Sequence, residues 1–301
     1  MRTKLIFLVG PTAVGKTSLA VSLAKKINAE IISCDSMQVY KGMDILTSKP
    51  PVGIRKKIPH YLIDVVNPSS EYNVSRYRKQ AIKKVSEIVK KGKVPFFVGG
   101  SGLYMSVVVD GIFKVKTENR ALREKLYKQS REYGSQKLYA DLVKADPQAA
   151  AKIHPNDTKR VIRALEVFKV TGQPISQMQS KRKGLGDEYD IRIFCLDLPR
   201  EELDQRIDRR VDRMFRQGLV KEVKSLLKMK LSRTAAMAIG IKEVKGYLSG
   251  EYSLKEAKTL IKKNTRKYAR RQMTWFRKDK RIIWFSQPET LLNLIGKPGG
   301  N

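Results

Sequence analysis

The 301-residue chain carries 62 Lys and Arg against 29 Asp and Glu, a formal charge of +33, with 41% apolar residues. That apolar share supports a folded core and excludes a disordered chain, and the charge points to a polyanion whose phosphates release counterions on binding. Cys34 and Cys195 form no C-x-x-C, no apolar run reaches the ~18 residues of a membrane span, and no leader or lipidation motif is present, so a soluble, cytoplasmic protein without disulfide, zinc or membrane contact is expected.

Lys4-Leu-Ile-Phe-Leu-Val9 reads as a short strand. Behind it, Gly10, Pro11, Thr12, Ala13, Val14, Gly15, Lys16 and Thr17 fit G-x-x-x-x-G-K-[ST]. Ser18 to Ile27 then sets Leu19 and Leu23, and Ala20 and Ala24, at i, i+4 spacing, which predicts a helix. Strand, glycine loop and helix aim successive backbone N–H groups and a helix N-terminus at one point, where a phosphate is stabilised. Lys16 is expected to reach the terminal phosphates and the Thr17 hydroxyl to sit on Mg²⁺. A phosphorylated ligand follows from the loop; a nucleotide does not.

Glu30-Ile-Ile-Ser-Cys34 predicts a second strand that ends at Asp35. A carboxylate at the carboxyl end of a strand beside a phosphate loop lies where α/β sheets bind ligands, although Asp also serves turns and helix caps. Pro50, Pro51 and Gly53 mark a loop, and Ile58 to Val66 predicts a third strand. Asp64 reads either as a metal-binding strand-end carboxylate or as a solvent-facing terminus; His60 has no second ligand nearby and reads as structural. Tyr72 to Lys91 predicts a helix with Val74, Tyr77, Ala81, Val85 and Ile88 on its apolar stripe. Val94-Pro-Phe-Phe-Val98 predicts a buried strand that runs into Gly99-Gly-Ser-Gly102. An ordinary ATPase carries a metal-binding aspartate at such a strand end. Glycines and Ser101 stand there instead, which counts against simple ATP hydrolysis.

From about Phe113 the character changes, and residues 118–183 are helical in pattern. Asp157 is expected to cap a helix running to Lys169, with Val161, Ile162, Leu165 and Phe168 inward and Lys159, Arg160 and Arg163 projecting together. Lys181 to Gly186 reads as a basic linker, and Ile191-Arg-Ile-Phe-Cys-Leu196 returns to strand. A helical run bracketed by strands predicts a module, residues 115–187, inserted into an α/β core of residues 1–114 and 188–301. The remainder is helical, with Arg206, Arg209, Arg210, Arg213 and Arg216 in one segment. Residues 253–281 hold 12 Lys and Arg against Glu256 and Asp279. Ala257, Ile261, Tyr268 and Trp275 are expected to pack, leaving a basic face free to track phosphates. Ile282-Ile-Trp-Phe285 predicts a last strand.

Taken in order, these motifs resemble the bacterial tRNA dimethylallyltransferases, the tRNA isopentenyltransferase family. Gly10 to Thr17 stands at that family's phosphate loop, Asp35-Ser-Met-Gln-Val-Tyr-Lys-Gly-Met-Asp44 at its second signature and Val98 to Tyr104 at its third. His154 to Glu166 and Arg270-Arg-Gln-Met-Thr-Trp-Phe-Arg277 complete the series, and the resemblance runs from about residue 3 to 285. Ser101 replaces the usual threonine, keeping the hydroxyl. Met237 stands where glutamine or arginine is usual, and no role is carried onto it. The resemblance implies an α/β fold with a P-loop NTPase-like parallel sheet core and an inserted all-helical domain. It implies transfer of a dimethylallyl group from dimethylallyl diphosphate, with Mg²⁺, to N6 of the adenine 3′-adjacent to the anticodon of a tRNA. Asp35, Ser101 and Lys16 would be catalytic. Asp35, Ser36, Met37, Gln38, Ser101, Arg123, Lys159, Arg160, Val161, Ile162 and Arg163 would contact the tRNA. A monomer is expected. Rival readings are an adenylate isopentenyltransferase using free nucleotide, a small-molecule P-loop kinase, and a nucleic-acid-binding protein without catalysis.

Overall fold

The structure, a computed structural model, describes residues 2–113 and 119–296. The chain divides into two compact units, Met1–Val109 with Leu185–Asn301, and Asp110–Gly184. The expected boundary between residues 114 and 115 lies outside the described residues.

The first unit begins with β1 (Lys4–Val9), α1 (Lys16–Lys26), β2 (Ala29–Ser33), α2 (Val52–Lys57), β3 (His60–Tyr61), α3 (Val74–Lys90), β4 (Val94–Val98) and α4 (Gly102–Val109). The second unit holds α5 (Arg120–Ala145), α6 (Pro147–Ala150), α7 (Thr158–Thr171) and α8 (Ile175–Ser180). The first unit resumes with β5 (Asp190–Leu196), α9 (Arg200–Arg216), α10 (Leu219–Leu226), α11 (Ile241–Leu248), α12 (Leu254–Phe276), β6 (Ile282–Phe285) and α13 (Thr290–Gly296).

Among the described residues the strands form one sheet in the order β3-β2-β4-β1-β5-β6, and every pairing is parallel. Helical crossovers bury both faces of such a sheet, which is why its inner strands read as unbroken apolar runs. Leu5 to Val9 are buried without exception, and Phe7 stacks on Phe97 of the neighbouring strand at 4.5 Å. The expected third strand over 58–66 shortens to two residues. Leu62 and Asp64 take left-handed φ values of 61° and 56°, which turn the chain out of the ladder. Asp64 accepts ion pairs from Lys49 and Arg55 at 2.5 and 2.7 Å. Burial alone would raise its pKa, but the hydrogen bonds from these two cations hold its carboxyl below the usual range. It serves as an anchor for this turn.

The expected cap forms at α7, where Asp157 accepts from Arg160 N, and the structure adds two more: Asn73 accepts from Arg76 N at α3 and Ser253 from Glu256 N at α12. Tyr77, Ala81, Val85 and Ile88 are the buried face of α3. In the second unit α5 breaks at Gly134, whose φ of 79° and ψ of 163° are not helical. Leu126, Leu138, Leu142, Val161, Ile162 and Leu165 build that unit's own core.

Candidate active site

A strand that ends against a glycine-rich turn brings backbone, not side chains, to a ligand, and two such turns sit side by side here. The first follows β1. Gly10, Ala13 and Gly15 hold φ values of 142°, 67° and 106°, so the loop curls into the start of α1. Gly10 also packs so tightly that a Cβ would sit 2.9 Å from the Leu196 carbonyl oxygen. The second follows β4. A Cβ on Gly99 would run into the Cys34 carbonyl, and one on Gly100 into the Gln272 amide. Glycine lets β4 approach the end of β2, where Ser101 N donates to Cys34 O at 3.0 Å.

These strand ends open on a cleft of about 1210 Å³. Thr12, Ala13, Gly15, Lys16 and Thr17 line it, while Gly10, Pro11 and Val14 form the back of the loop. Lys16 Nζ donates to Gly10 O and Pro11 O at 2.9 and 2.6 Å. Burial pushes its pKa down to about 8, Arg210 pushes the same way, and Asp35 opposes both. Asp35 Oδ1 accepts from Met37 N at 2.8 Å and Gln38 N at 3.4 Å. The carboxylate therefore does close its own turn, as Asp commonly does. Its second oxygen accepts no hydrogen bond among the described residues, and Asp35 lines the cleft.

Other expected site residues fall differently. Gln38 lines the cleft, its Oε1 accepting from Ser33 Oγ at 3.0 Å and its Nε2 donating to Thr47 O at 3.4 Å. Ser36 and Met37 are half-buried in the turn beside it and do not line the cleft. Ser101 is tied to the backbone next to Asp35, but its hydroxyl accepts from Tyr104 N at 3.4 Å and caps α4. In the helical unit, Lys159 is exposed and Arg160 keeps 58% of its side chain exposed while pairing with Asp157 at 3.4 Å. Arg123 and Arg163 converge instead on Glu166, a carboxylate 1% exposed, at 2.9 and 2.7 Å. The expectation for Val161 and Ile162 is corrected: each is 1% exposed in the core of this unit, so their side chains offer an RNA no surface.

Two groups of cleft residues, on α9 and α12, were given no site role from sequence. Arg206, Arg209, Arg210 and Arg213 of α9 line the cleft, at i, i+3, i+4 and i+7. That spacing was the available signal, but alone it does not separate a cleft face from a solvated one. Arg206 Nη1 donates to Val14 O at 3.1 Å, bracing the phosphate loop from behind. Arg210 has its pKa lowered by burial, against the pull of Asp35. Finally, the α12 residues Tyr268 and Gln272 line the cleft. Gln272, 6% exposed, accepts from Thr12 N at 2.9 Å and donates from Nε2 to Gly100 O at 2.8 Å. One amide thus bridges both glycine turns.

A phosphate loop, a strand-end carboxylate and a wall of arginines on a parallel sheet define a P-loop α/β enzyme of phosphorylated ligands. A family model described as IPP transferase matches residues 38–279. The chain belongs to the IPP transferase family, the family its motifs resemble. It is 48% identical over 285 residues to the tRNA dimethylallyltransferase of Halothermothrix orenii, covering 94% of this chain and 87% of that one. It is 47% identical over 297 residues to that of Carboxydothermus hydrogenoformans, covering 98% and 96%. Among solved structures, the full-length tRNA isopentenylpyrophosphate transferase of Bacillus halodurans matches with TM-score 0.72 and 40% identity over 98% of this chain and 96% of that one. A eukaryotic dimethylallyltransferase acting on tRNA matches with TM-score 0.77 and 35% identity, over 91% of this chain and 69% of that one.

Proposed function

We propose that this chain transfers a dimethylallyl group from dimethylallyl diphosphate to N6 of the adenine 3′-adjacent to the anticodon of a tRNA. The observation that carries this reading is the convergence of Asp35, Lys16 and Arg210 on one cleft at the strand ends. A phosphate loop beside a carboxylate serves a reaction in which diphosphate departs and an amine loses a proton. The names of the relatives and the charge of +33 support a tRNA acceptor over a free nucleotide.

Backbone N–H groups of residues 13–15, Lys16 and the α9 arginines bind the diphosphate. As N6 attacks, the new N6–C1 bond forms and the C1–O bond to diphosphate breaks, the electron pair leaving on oxygen. Cations fixed in the cleft stabilise that oxygen more in the transition state than in the ground state. The free oxygen of Asp35 takes the N6 proton, worth about 10²–10⁴-fold for a well-placed base. Ser36, Met37, Gln38 and Ser101 hold the displaced adenine, and Lys159 and Arg160 hold the RNA backbone. Arg123 and Arg163, sharing Glu166, contribute one net positive charge as a trio.

The family's chemistry implies a divalent cation, taken as Mg²⁺. Thr17 is exposed and lines the cleft, and the described residues gather no group of three or more His, Cys, Asp or Glu as a metal cage. The Thr17 hydroxyl would hold a hard cation beside the phosphate loop. That cation would supply neutralisation of the charge on the leaving diphosphate. The protein acts as a monomer in the cytoplasm; no described helix is long and apolar enough to cross a membrane.

The test is mass spectrometry of an unmodified tRNA with adenine 3′ to its anticodon, incubated with protein, dimethylallyl diphosphate and Mg²⁺. One dimethylallyl group on that adenine is expected, with no turnover of AMP. Prenylation of AMP in place of tRNA would make the chain an adenylate isopentenyltransferase.

A further inference from the structure

Between β2 and α2 the described residues 34–51 form no helix or strand beyond one bridge from Tyr40 to Val66. This stretch opens on Asp35, and Asp44, Ile45, Thr47, Ser48 and Lys49 further along it line the same cleft. A loop without a hydrogen-bond ladder of its own keeps one shape only where other elements take up its backbone groups. Ser48 holds a left-handed φ of 47°, a strained value that persists only when the surroundings impose it. One anchor is local: the buried Lys49 Nζ donates to Tyr40 O at 2.6 Å and pairs with Asp44 and Asp64.

The other anchor comes from far along the chain. Glu222, half-buried in the first turn of α10, accepts from three successive backbone N–H groups. Asp44 N and Ile45 N donate to Oε2 at 3.0 and 2.8 Å, and Leu46 N donates to Oε1 at 2.8 Å. Each bond is charge-assisted, and together they use both oxygens. Glu222 makes no ion pair among the described residues, in a chain with 62 Lys and Arg to 29 Asp and Glu, so its place is set by the loop and not by a cation.

From the pinned turn a short relay leads to the candidate base. Thr47 O accepts from Gln38 Nε2 at 3.4 Å, and Gln38 Oε1 accepts from Ser33 Oγ at 3.0 Å. Gln38 N in turn donates to Asp35 Oδ1 at 3.4 Å. On the other side, α10 follows directly on α9, whose Arg206, Arg209, Arg210 and Arg213 line the cleft. One carboxylate therefore joins the segment that binds diphosphate to the segment that carries the base.

We infer that Glu222 is a positioning residue for the prenyl transfer. It does not line the cleft. It fixes residues 44–46 against α10 and, through Thr47 and Gln38, holds the free oxygen of Asp35 where N6 can lose its proton as diphosphate leaves. A displacement of about 1 Å in such an arrangement can cost about 10²-fold in rate. The inference rests on the transferase reading and adds to it a residue outside the substrate-contacting set.

Glu222→Gln keeps the size and one accepting oxygen but turns an amide toward the backbone N–H groups of the loop. Its kcat for tRNA prenylation in single turnover should fall about tenfold, while calorimetry with inorganic diphosphate gives the wild-type affinity. Glu222→Asp, with both oxygens on a shorter stem, should recover part of the rate. The deciding measurement is a cycle with Asp35→Asn. If Glu222 acts through Asp35, the double variant turns over within about twofold of Asp35→Asn alone, whereas independent defects multiply. A slower double variant overturns the inference. So does Glu222→Gln with wild-type kcat, or with diphosphate affinity lost in step with kcat. Each of these leaves the transferase reading standing, because the wild type still prenylates tRNA. A wild type that prenylates no tRNA removes that reading and the inference with it.

Discussion

Replacing Gln272 with methionine keeps a side chain of similar length but removes both hydrogen bonds that join the two glycine turns. Thr12 N and Gly100 O, held at 2.9 and 2.8 Å in the native protein, lose their partners. Gly100 is buried, so its carbonyl stays unsatisfied, whereas Thr12 lines the cleft and water reaches it. An orphaned buried group costs about 1–3 kcal/mol and a rehydrated one less, so the expected loss of stability is about 1–3 kcal/mol. For a unit of this size that lowers Tm by roughly 3–10 °C. The functional effect is separate. With the brace gone the phosphate loop and the Ser101 turn no longer share a frame, and inorganic diphosphate should bind about tenfold more weakly by calorimetry, equivalent to about 1.4 kcal/mol. Gln272→Glu sharpens the test. Its carboxylate can still accept from Thr12 N but repels the Gly100 carbonyl, and protonation restores the missing donor. Diphosphate affinity of that variant should therefore recover as pH falls. A lowered Tm with unchanged diphosphate affinity and no pH recovery would sink the argument and leave Gln272 a core residue only.

Three further outcomes follow from the site. Asp35→Asn keeps the oxygen that closes the turn to Met37 and Gln38, so tRNA affinity in filter binding should hold while kcat falls by about 10²–10⁴; a large loss of affinity would make Asp35 a recognition residue. Lys16, its pKa depressed to about 8 by burial, is cationic below that pH and neutral above it. Diphosphate affinity should accordingly be full below about pH 8 and decline on raising the pH through it, by up to tenfold per unit, and Lys16→Arg should abolish that break. In the helical unit, Arg160→Gln should flatten the salt dependence of tRNA binding with Tm unchanged. Arg163→Ala should instead lower Tm, because it strips one partner from the buried Glu166 carboxylate. Equal salt slopes for Arg160→Gln and wild type would take Arg160 off the phosphate.

Much of the fold was legible because the signals were local. The phosphate loop announces itself through glycines at positions that need positive φ, and Asp157 caps the helix it precedes in sequence. What escaped depended on distant partners. The third strand looked nine residues long by apolar content, yet Lys49 and Arg55 pin Asp64 in a left-handed turn that ends the ladder early. The α9 arginines read as one more basic face; only the position of the helix beside the phosphate loop separates Arg206 and Arg210 from solvated neighbours. Trp275 shares a face with Tyr268 by periodicity, but it sits in the last turn of α12, and Gly102 beside it offers no side chain to cover it. Val161 and Ile162 were placed correctly as inward residues by helical spacing, and that same placement removes them from a side-chain RNA surface.

The insertion of the helical unit has a consequence for assembly during synthesis. That unit, Asp110–Gly184, is contiguous in sequence and closes through short-range contacts, whereas β1 pairs with β5 across the whole of it, Lys4 meeting Asp190. Local structure forms fast and long-range pairing waits for its partner. At ~5–20 residues per second, β1 therefore spends roughly 10–40 s with one edge unpaired after it is made, a bare template for another nascent chain. The inserted helices act as a timer on the sheet: each residue added to them lengthens the interval in which β1 is vulnerable.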